Sequence, residues 1–346
     1  MTLSERLQLL VKLGSYLRQE EDEFLEALQK RTAFNNAWFT LENQQTALQT
    51  IAADFLSEAK LKTWLQPYYG YFEVLHATRE PGIKTIGIVP TDHVPLAVFH
   101  DFLCVFIAGY RAQIKPPETD RFVLPYLLKL LTDFDDRAGQ YFTVSEKLTG
   151  FDAVIVNAEP KNLTSFRTYF GRYPSIVRPP RKGVAVLTGQ ESEEDLRGLG
   201  RDVFQYFGLG DRNIGKIYVP KDYDFTHMLE VFHDWRDLQN HAKYKNNFDY
   251  QYSLLLLNQA HFLSNGALIL REDPAILSHI AGLYYEQYDN LEELEKNLSH
   301  RADDIQLITA LPYALRLETT NFGKAHRPTL GDYPGGVDTI AWLLSL

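Results

Sequence analysis

The stretch YFGLGDRNIGKIYVP (206–220) sets three glycines around one acidic side chain, Asp211. It lies between a helical pattern and a β-rich run, where an enzyme often displays a reactive group. Glycine admits backbone conformations closed to other residues, so Gly208 and Gly210 predict a tight turn that brings position 211 close to a substrate. A carboxylate there can react. It can equally cap the N–H groups of its own turn or pair with Arg212. The one cysteine, Cys104, lies inside the apolar run PLAVFHDFLCVFIAG (95–109) and reads as a small buried residue, not a nucleophile.

The elements that must position these residues follow from hydrophobic spacing. Leu3, Leu7, Leu10 and Leu17 share one helical stripe, opened by a Thr2/Glu5 capping box, and Leu48, Ile51 and Phe55 mark a second amphipathic stretch. From residue 84 the pattern changes. Strands are predicted over 84–90, 111–115, 140–144 and 152–156, with helices over 95–109 and 122–134 between them. This alternation predicts a parallel sheet covered by helices, with any ligand at the carboxyl ends of the strands. After GRYPSIVRPPRKG (171–183) a second β/α series begins with strand 184–189, a helix capped by Ser192 and reaching about 207, and strand 216–220. Residues 224–300 read as mostly helical and tyrosine-rich. The expected domains are 1–180, a Rossmann-like nucleotide-binding domain with N-terminal helices, and 181–310, a catalytic-type α/β domain. Residues 311–346 form a C-terminal segment packing back on the body.

Composition narrows the function classes. The 346 residues are 45% hydrophobic and 23% charged, which is ordinary for a soluble globular protein and enough for two domains. A net charge of −10 without a Lys/Arg block argues against nucleic-acid partners. A single cysteine excludes an intrachain disulfide framework and a cysteine-based zinc site, and no metal is expected. The acidic N-terminal stretch is no signal peptide, and the apolar runs are too short to span a membrane, so a cytoplasmic location is expected. The 13% of aromatic residues fit large buried surfaces or a partner interface.

The order of motifs carries a resemblance. PTDHVPLAVFHDFLCVFIAGYRAQIKPPE (90–118) resembles the strand–turn–helix–strand of the aldehyde dehydrogenase superfamily. More narrowly, FHDFL, YFGRYPSIVR, VAVLTG, DVFQYFGLG, NHAKYKNNFDY, FLSNGALIL and DYPGGVDTIAWLL resemble, in order, the bacterial acyl-CoA reductases of the bioluminescence (LuxC-like) type. The resemblance runs from about residue 70 to the end. It implies an aldehyde-dehydrogenase-like fold, with a Rossmann-like cofactor domain plus a second α/β catalytic domain. It also implies a fatty acyl-CoA or related thioester as substrate, NADP or NAD as hydride donor, and a homo-oligomer or a hetero-oligomer with a relative.

Residue by residue the resemblance is uneven. It assigns Thr91, Lys115, Pro116, Glu118, Ala158 and Glu159 to the cofactor, with Lys115 and Glu118 holding the adenosine ribose. Where the superfamily has Gly-Ser after the strand over 152–156, this chain has Ala158-Glu159, which adds a methyl group and an anion where phosphates would approach. The catalytic positions are Asp211, His93 and Asn213. His93 stands where the superfamily's oxyanion Asn stands; it can donate one hydrogen bond there, or cap the helix expected from Pro95. Asp211 stands where the family has its nucleophilic cysteine. A carboxylate, with an ordinary pKa of about 4, is a weak nucleophile, and attack on a thioester would give a labile anhydride. Together the departures at His93, Ala158-Glu159 and Asp211 predict lost or strongly reduced reductase activity. The alternatives are a non-catalytic acyl-CoA-binding or assembly partner of an active reductase, and acyl transfer or thioester hydrolysis through Asp211.

Overall fold

The computed structural model describes residues 1–19, 21–72, 83–90, 93–117, 120–159 and 161–346. The chain divides into two compact units, Met1–Pro179 with Pro328–Leu346, and Pro180–Arg327. Residues 311–327 therefore belong to the second unit, and only the last 19 return to the first.

The first unit opens with four helices, α1 (Leu3–Gln19), α2 (Glu23–Asn35), α3 (Leu41–Thr50) and α4 (Glu58–Leu65). The Thr2/Glu5 box forms as the spacing predicts, with Glu5 N–H donating to Thr2 Oγ1 and Thr2 N–H to Glu5 Oε2. The β/α series follows: β1 (Thr85–Val89), α5 (Phe99–Ala108), β2 (Arg111–Ile114), α6 (Val123–Phe134), β3 (Phe142–Val144), β4 (Ala153–Asn157), α7 (Leu163–Phe170) and β5 (Ser175–Arg178). All five strands are parallel, in the order β3-β2-β1-β4-β5. The direction of winding reverses at β1, so the crevice for a ligand lies at the carboxyl ends of β1 and β4. Ile86, Ile88, Ala153 and Ile155 pack against the helices of one face, while Val154 and Val156 meet Phe166 and Phe170 of α7 on the other. Strands buried on both faces are why these runs are continuously apolar.

The helix expected from Pro95 begins four residues later, at Phe99. Leu96 takes a left-handed φ of 57° in the turn that precedes α5, and this breaks the helical run. Gly109, at φ 74°, ends α5 as its position predicts.

In the second unit come β6 (Lys182–Val186), α8 (Glu193–Phe204), β7 (Ile214–Pro220), α9 (Thr226–Val231), α10 (Ala242–Leu257), β8 (Leu263–Ser264), β9 (Ile269–Glu272), β10 (Gly282–Tyr288), α11 (Leu291–His300) and β11 (Ile305–Ala310). The six strands run β11-β6-β7-β10-β9-β8, parallel except for the β8–β9 pair. Residues 224–300, expected to be mostly helical, also carry β8, β9 and β10. GLYYEQY (282–288) carries strand-favouring tyrosines and is paired on both sides, so propensity and packing both make it β. Ser192 does cap α8, in a full capping box with Asp195.

The terminal segment carries α12 (Thr339–Leu344), which packs into the first unit with Ile340 and Leu343 in its core. A buried polar network ties it down. Arg178 Nη1 donates to Asp101 Oδ1 and Oδ2 at 2.9 and 2.7 Å and to Asn157 Oδ1 at 3.2 Å, while its Nη2 donates to Thr339 Oγ1 at 2.9 Å. Arg178 and Asp101 are 4% and 1% exposed at the side chain, so the ion pair is effectively out of water. Tyr68 OH donates to Asp338 Oδ2 at 2.6 Å, and Trp64 Nε1 donates to Tyr333 OH at 3.0 Å.

Candidate active site

The turn that carries Asp211 is built by an unusual backbone. Tyr206, Phe207 and Gly208 have φ of 52°, 59° and 74°, three successive left-handed residues. Glycine takes this conformation freely, but each of the two aromatic residues pays roughly 1–2 kcal/mol for it. The surroundings impose it. Tyr206 and Phe207 are buried; the Tyr206 ring meets His326 edge-on at 5.4 Å, and Phe207 lies against His241 at 4.3 Å and Tyr244 at 6.1 Å. His241 in turn caps α10 through Nδ1, which accepts from Tyr244 N–H. The NHAKYKNNFDY stretch thus supplies the wall behind the turn.

Asn213 holds the turn from inside. Its Oδ1 accepts from Gly210 N–H at 2.8 Å, and its Nδ2 lies 3.1, 3.1 and 2.7 Å from the carbonyl oxygens of Asp202, Val203 and Gln205. At 1% exposure this side chain is committed to the C-terminal end of α8 and does not face a substrate. Lys182, the first residue of β6, donates from Nζ to Gly210 O at 2.8 Å and to Gly208 O. Burial pushes Lys182 down to about 8, while the charge of Asp211 acts to raise it.

A segment over 321–327 closes the other side. Asp202 accepts from Gly323 N–H at 2.7 Å and Ala325 N–H at 3.0 Å, and Arg212 Nε donates to Ala325 O at 2.5 Å. Burial pushes Asp202 up to about 7, against the pull of those two N–H donors. Burial likewise holds His326 neutral, down at about 3, with Nε2 at 3.2 Å from Asp202 O. Because Asn213 Nδ2 already has carbonyl acceptors, we assign the His326 proton to Nε2, donated to Asp202 O. Asp211 itself is exposed at the crest of this construction.

Lys182, Asp202, His241 and His326 are not singled out by the sequence as site residues. A lysine at the start of a strand or a histidine in a loop is ordinarily a solvated residue, and only tertiary packing makes these inward-facing.

The cofactor-side residues lie in the first unit. Lys115 follows β2 and is exposed; Pro116 follows it, half-buried, whereas Thr91 and Glu118 lie outside the described residues. Ala158 is 3% exposed, and its N–H donates to Arg178 O at 2.9 Å. Glu159 does not stand as a bare anion, since its carboxylate pairs with Lys161 at 2.6 Å. Its carbonyl accepts from the N–H groups of Asn162 and Leu163, donors that a pyrophosphate would otherwise find at the start of α7. Lys115 is thus open to solvent, whereas Ala158 is buried, the Glu159 carboxylate is paired and the N–H groups at the start of α7 are already engaged. His93 lies in the turn before α5, six residues ahead of Phe99. The helix-capping role is overturned, because the N-cap position of α5 is Val98. Cys104 is fully buried in α5, and burial pushes its thiol well up. Among the described residues no cluster of three or more His, Cys, Asp or Glu is placed to hold a metal ion, and no helix is long and apolar enough to cross a membrane.

No protein-family model matches the chain, and no curated protein matches its sequence. Solved structures do match in fold. Aldehyde dehydrogenase 21 from Physcomitrella patens, determined with succinate, superposes with a TM-score of 0.65 at 10% identity, over 100% of this chain and 84% of that one. An acetylating aldehyde dehydrogenase from Geobacillus thermoglucosidasius gives 0.60 at 11% identity, over 95% and 86%. A propionaldehyde dehydrogenase from the Clostridium phytofermentans fucose utilisation microcompartment gives 0.59 at 9%, over 94% and 82%. The fold of this chain is that of the aldehyde dehydrogenases.

Proposed function

We propose that the chain is an acyl-CoA-reductase-type protein of the LuxC-like kind that binds a fatty acyl thioester and does not reduce it. The observation that carries this reading is Asp211. An exposed carboxylate occupies the crest of a turn held by Asn213, Lys182 and three left-handed residues, at the position where the family resemblance expects a thiol. Cys104, deep in α5, cannot replace it, because a thiol buried in apolar surroundings stays protonated. NADP or NAD is the nucleotide this family would use, supplying a hydride when bound. Lys115 would meet its ribose, and the Ala158-Glu159 side would weaken the binding. A cytoplasmic location and assembly, with itself or with an active relative, go with this reading.

The deciding experiment follows oxidation of reduced nicotinamide with a long-chain acyl-CoA, in the native protein and in Asp211→Cys. The native protein is expected to bind acyl-CoA without turnover, and the cysteine variant to gain turnover. Turnover in the native protein would overturn the proposal. Release of free CoA without nucleotide oxidation, abolished in Asp211→Asn, would replace it with hydrolysis: the carboxylate displaces CoA to form an anhydride, which water then cleaves.

A further inference from the structure

We propose that Lys182 makes position 211 a seat for negative charge, so that the aspartate of this chain keeps the charge that a thiolate would carry there. This rests on reading residue 211 as the reactive position.

Lys182 is 8% exposed, and its ammonium donates to two neutral acceptors, the carbonyl oxygens of Gly208 and Gly210. Carbonyl dipoles satisfy its hydrogen bonds but carry no net charge, so a buried cation held by them still favours an anion nearby. Both carbonyls belong to the turn on which residue 211 sits, and Asp211 is the charge whose attraction opposes the depression of Lys182 by burial. The other ionisable groups around the turn do not take over that role. Both oxygens of Asp202 are engaged by backbone N–H groups, His326 is neutral, and Arg212, which donates to Ala325 O, adds a second positive charge. Lys182 is thus a positioning residue with an electrostatic task.

The test places a thiol at 211 and titrates it. In a Cys104→Ala, Asp211→Cys protein, alkylation by iodoacetamide is followed across pH, which needs neither thioester nor nucleotide. A failure here therefore leaves the acyl-thioester reading untouched. The midpoint is expected at least about one unit below the ordinary cysteine value of about 8.5. Adding Lys182→Met should raise it by about one unit, leaving roughly tenfold less thiolate at neutral pH. Lys182→Arg, which keeps the charge, should restore part of the shift. A merely structural lysine would change the limiting rate at high pH and leave the midpoint in place. A midpoint that does not move in Lys182→Met overturns the proposal. So does a midpoint at or above about 8.5 with Lys182 present, a result that stands even where Lys182→Met does not fold.

Discussion

In each unit a buried cation stands at the end of a strand, and these two are compensated in opposite ways. Arg178, at the end of β5, meets a carboxylate on α5 and a hydroxyl on α12, so its charge is closed inside the first unit. Lys182, at the start of β6, meets two backbone carbonyls, so its charge stays open toward the turn and residue 211. A closed pair fastens elements together. An open one leaves a field that a neighbouring residue can use, and the difference separates the scaffold of this protein from its candidate chemistry.

The largest effect should come from opening the closed pair. Arg178→Met strands Asp101 in the core, and loss of one partner from a buried pair costs about 3–5 kcal/mol. Urea unfolding should show that loss, and Arg178→Met with Asp101→Leu should recover much of it. An unchanged midpoint for Arg178→Met would remove the distinction between the two cations.

On the open side, Asn213→Ala strips the support from Gly210 N–H and from the end of α8. It should cost roughly 2–4 kcal/mol, since buried groups left unsatisfied cost about 1–3 kcal/mol each. The same denaturation curve measures it, and a cost under about 1 kcal/mol would mean that the turn holds itself.

Lys182 falls from 10.5 unfolded to about 8 folded, so the unfolded chain binds the extra proton between those values. Stability should rise with pH across that window, and Lys182→Met should flatten the rise. Asp202 works the other way: raised from 3.8 to about 7, it makes stability fall as pH climbs between them. His326, lowered from 6.5 to about 3, makes stability rise over its own window. The two nearly oppose each other from about pH 4 to 6.5. Asp202→Asn should therefore tilt the stability curve upward with pH there, and His326→Phe downward; tilts of the same sign would contradict this account.

Smaller effects lie at the turn's glycine and at the cofactor side. Gly208→Ala must hold φ near 74°, at a cost of about 1 kcal/mol, visible as a modest drop in melting temperature. Glu159→Gln removes one half-exposed ion pair and should alter stability by less than about 0.5 kcal/mol. Its readout is the thermal shift on adding NADP, which should grow if the carboxylate opposes the phosphates.

Local pattern carried much of this architecture. Four of the five strands of the first sheet and the Gly109 stop were legible, and the Ser192 box located α8, because burial and capping leave marks at fixed spacing; β5 was missed, since SIVR lies in the Pro- and Arg-rich stretch 171–183. Asp211 was legible as the displayed residue, since glycines flank it. Three features were not. The strand β10 pairs with β7, some seventy residues earlier, while β8 and β9 are short strands of two and four residues that leave little periodic pattern. Asn213 looked like a site residue and is an internal brace. His93 looked like a helix cap, but α5 starts at Phe99 with Val98 in the N-cap position, after the left-handed Leu96.

Local sequence alone fixes most strands and helices between residues 84 and 220, the glycine turn at 208–210 and the aspartate it presents, because each is encoded within a few neighbouring residues. Which charges face inward is set by tertiary packing. Lys182, Asp202, Arg178 and His326 carry no local mark of burial. Their pairing with groups up to 161 residues away, as between Arg178 and Thr339, is a property of the packed units, where desolvation makes every unpaired charge costly.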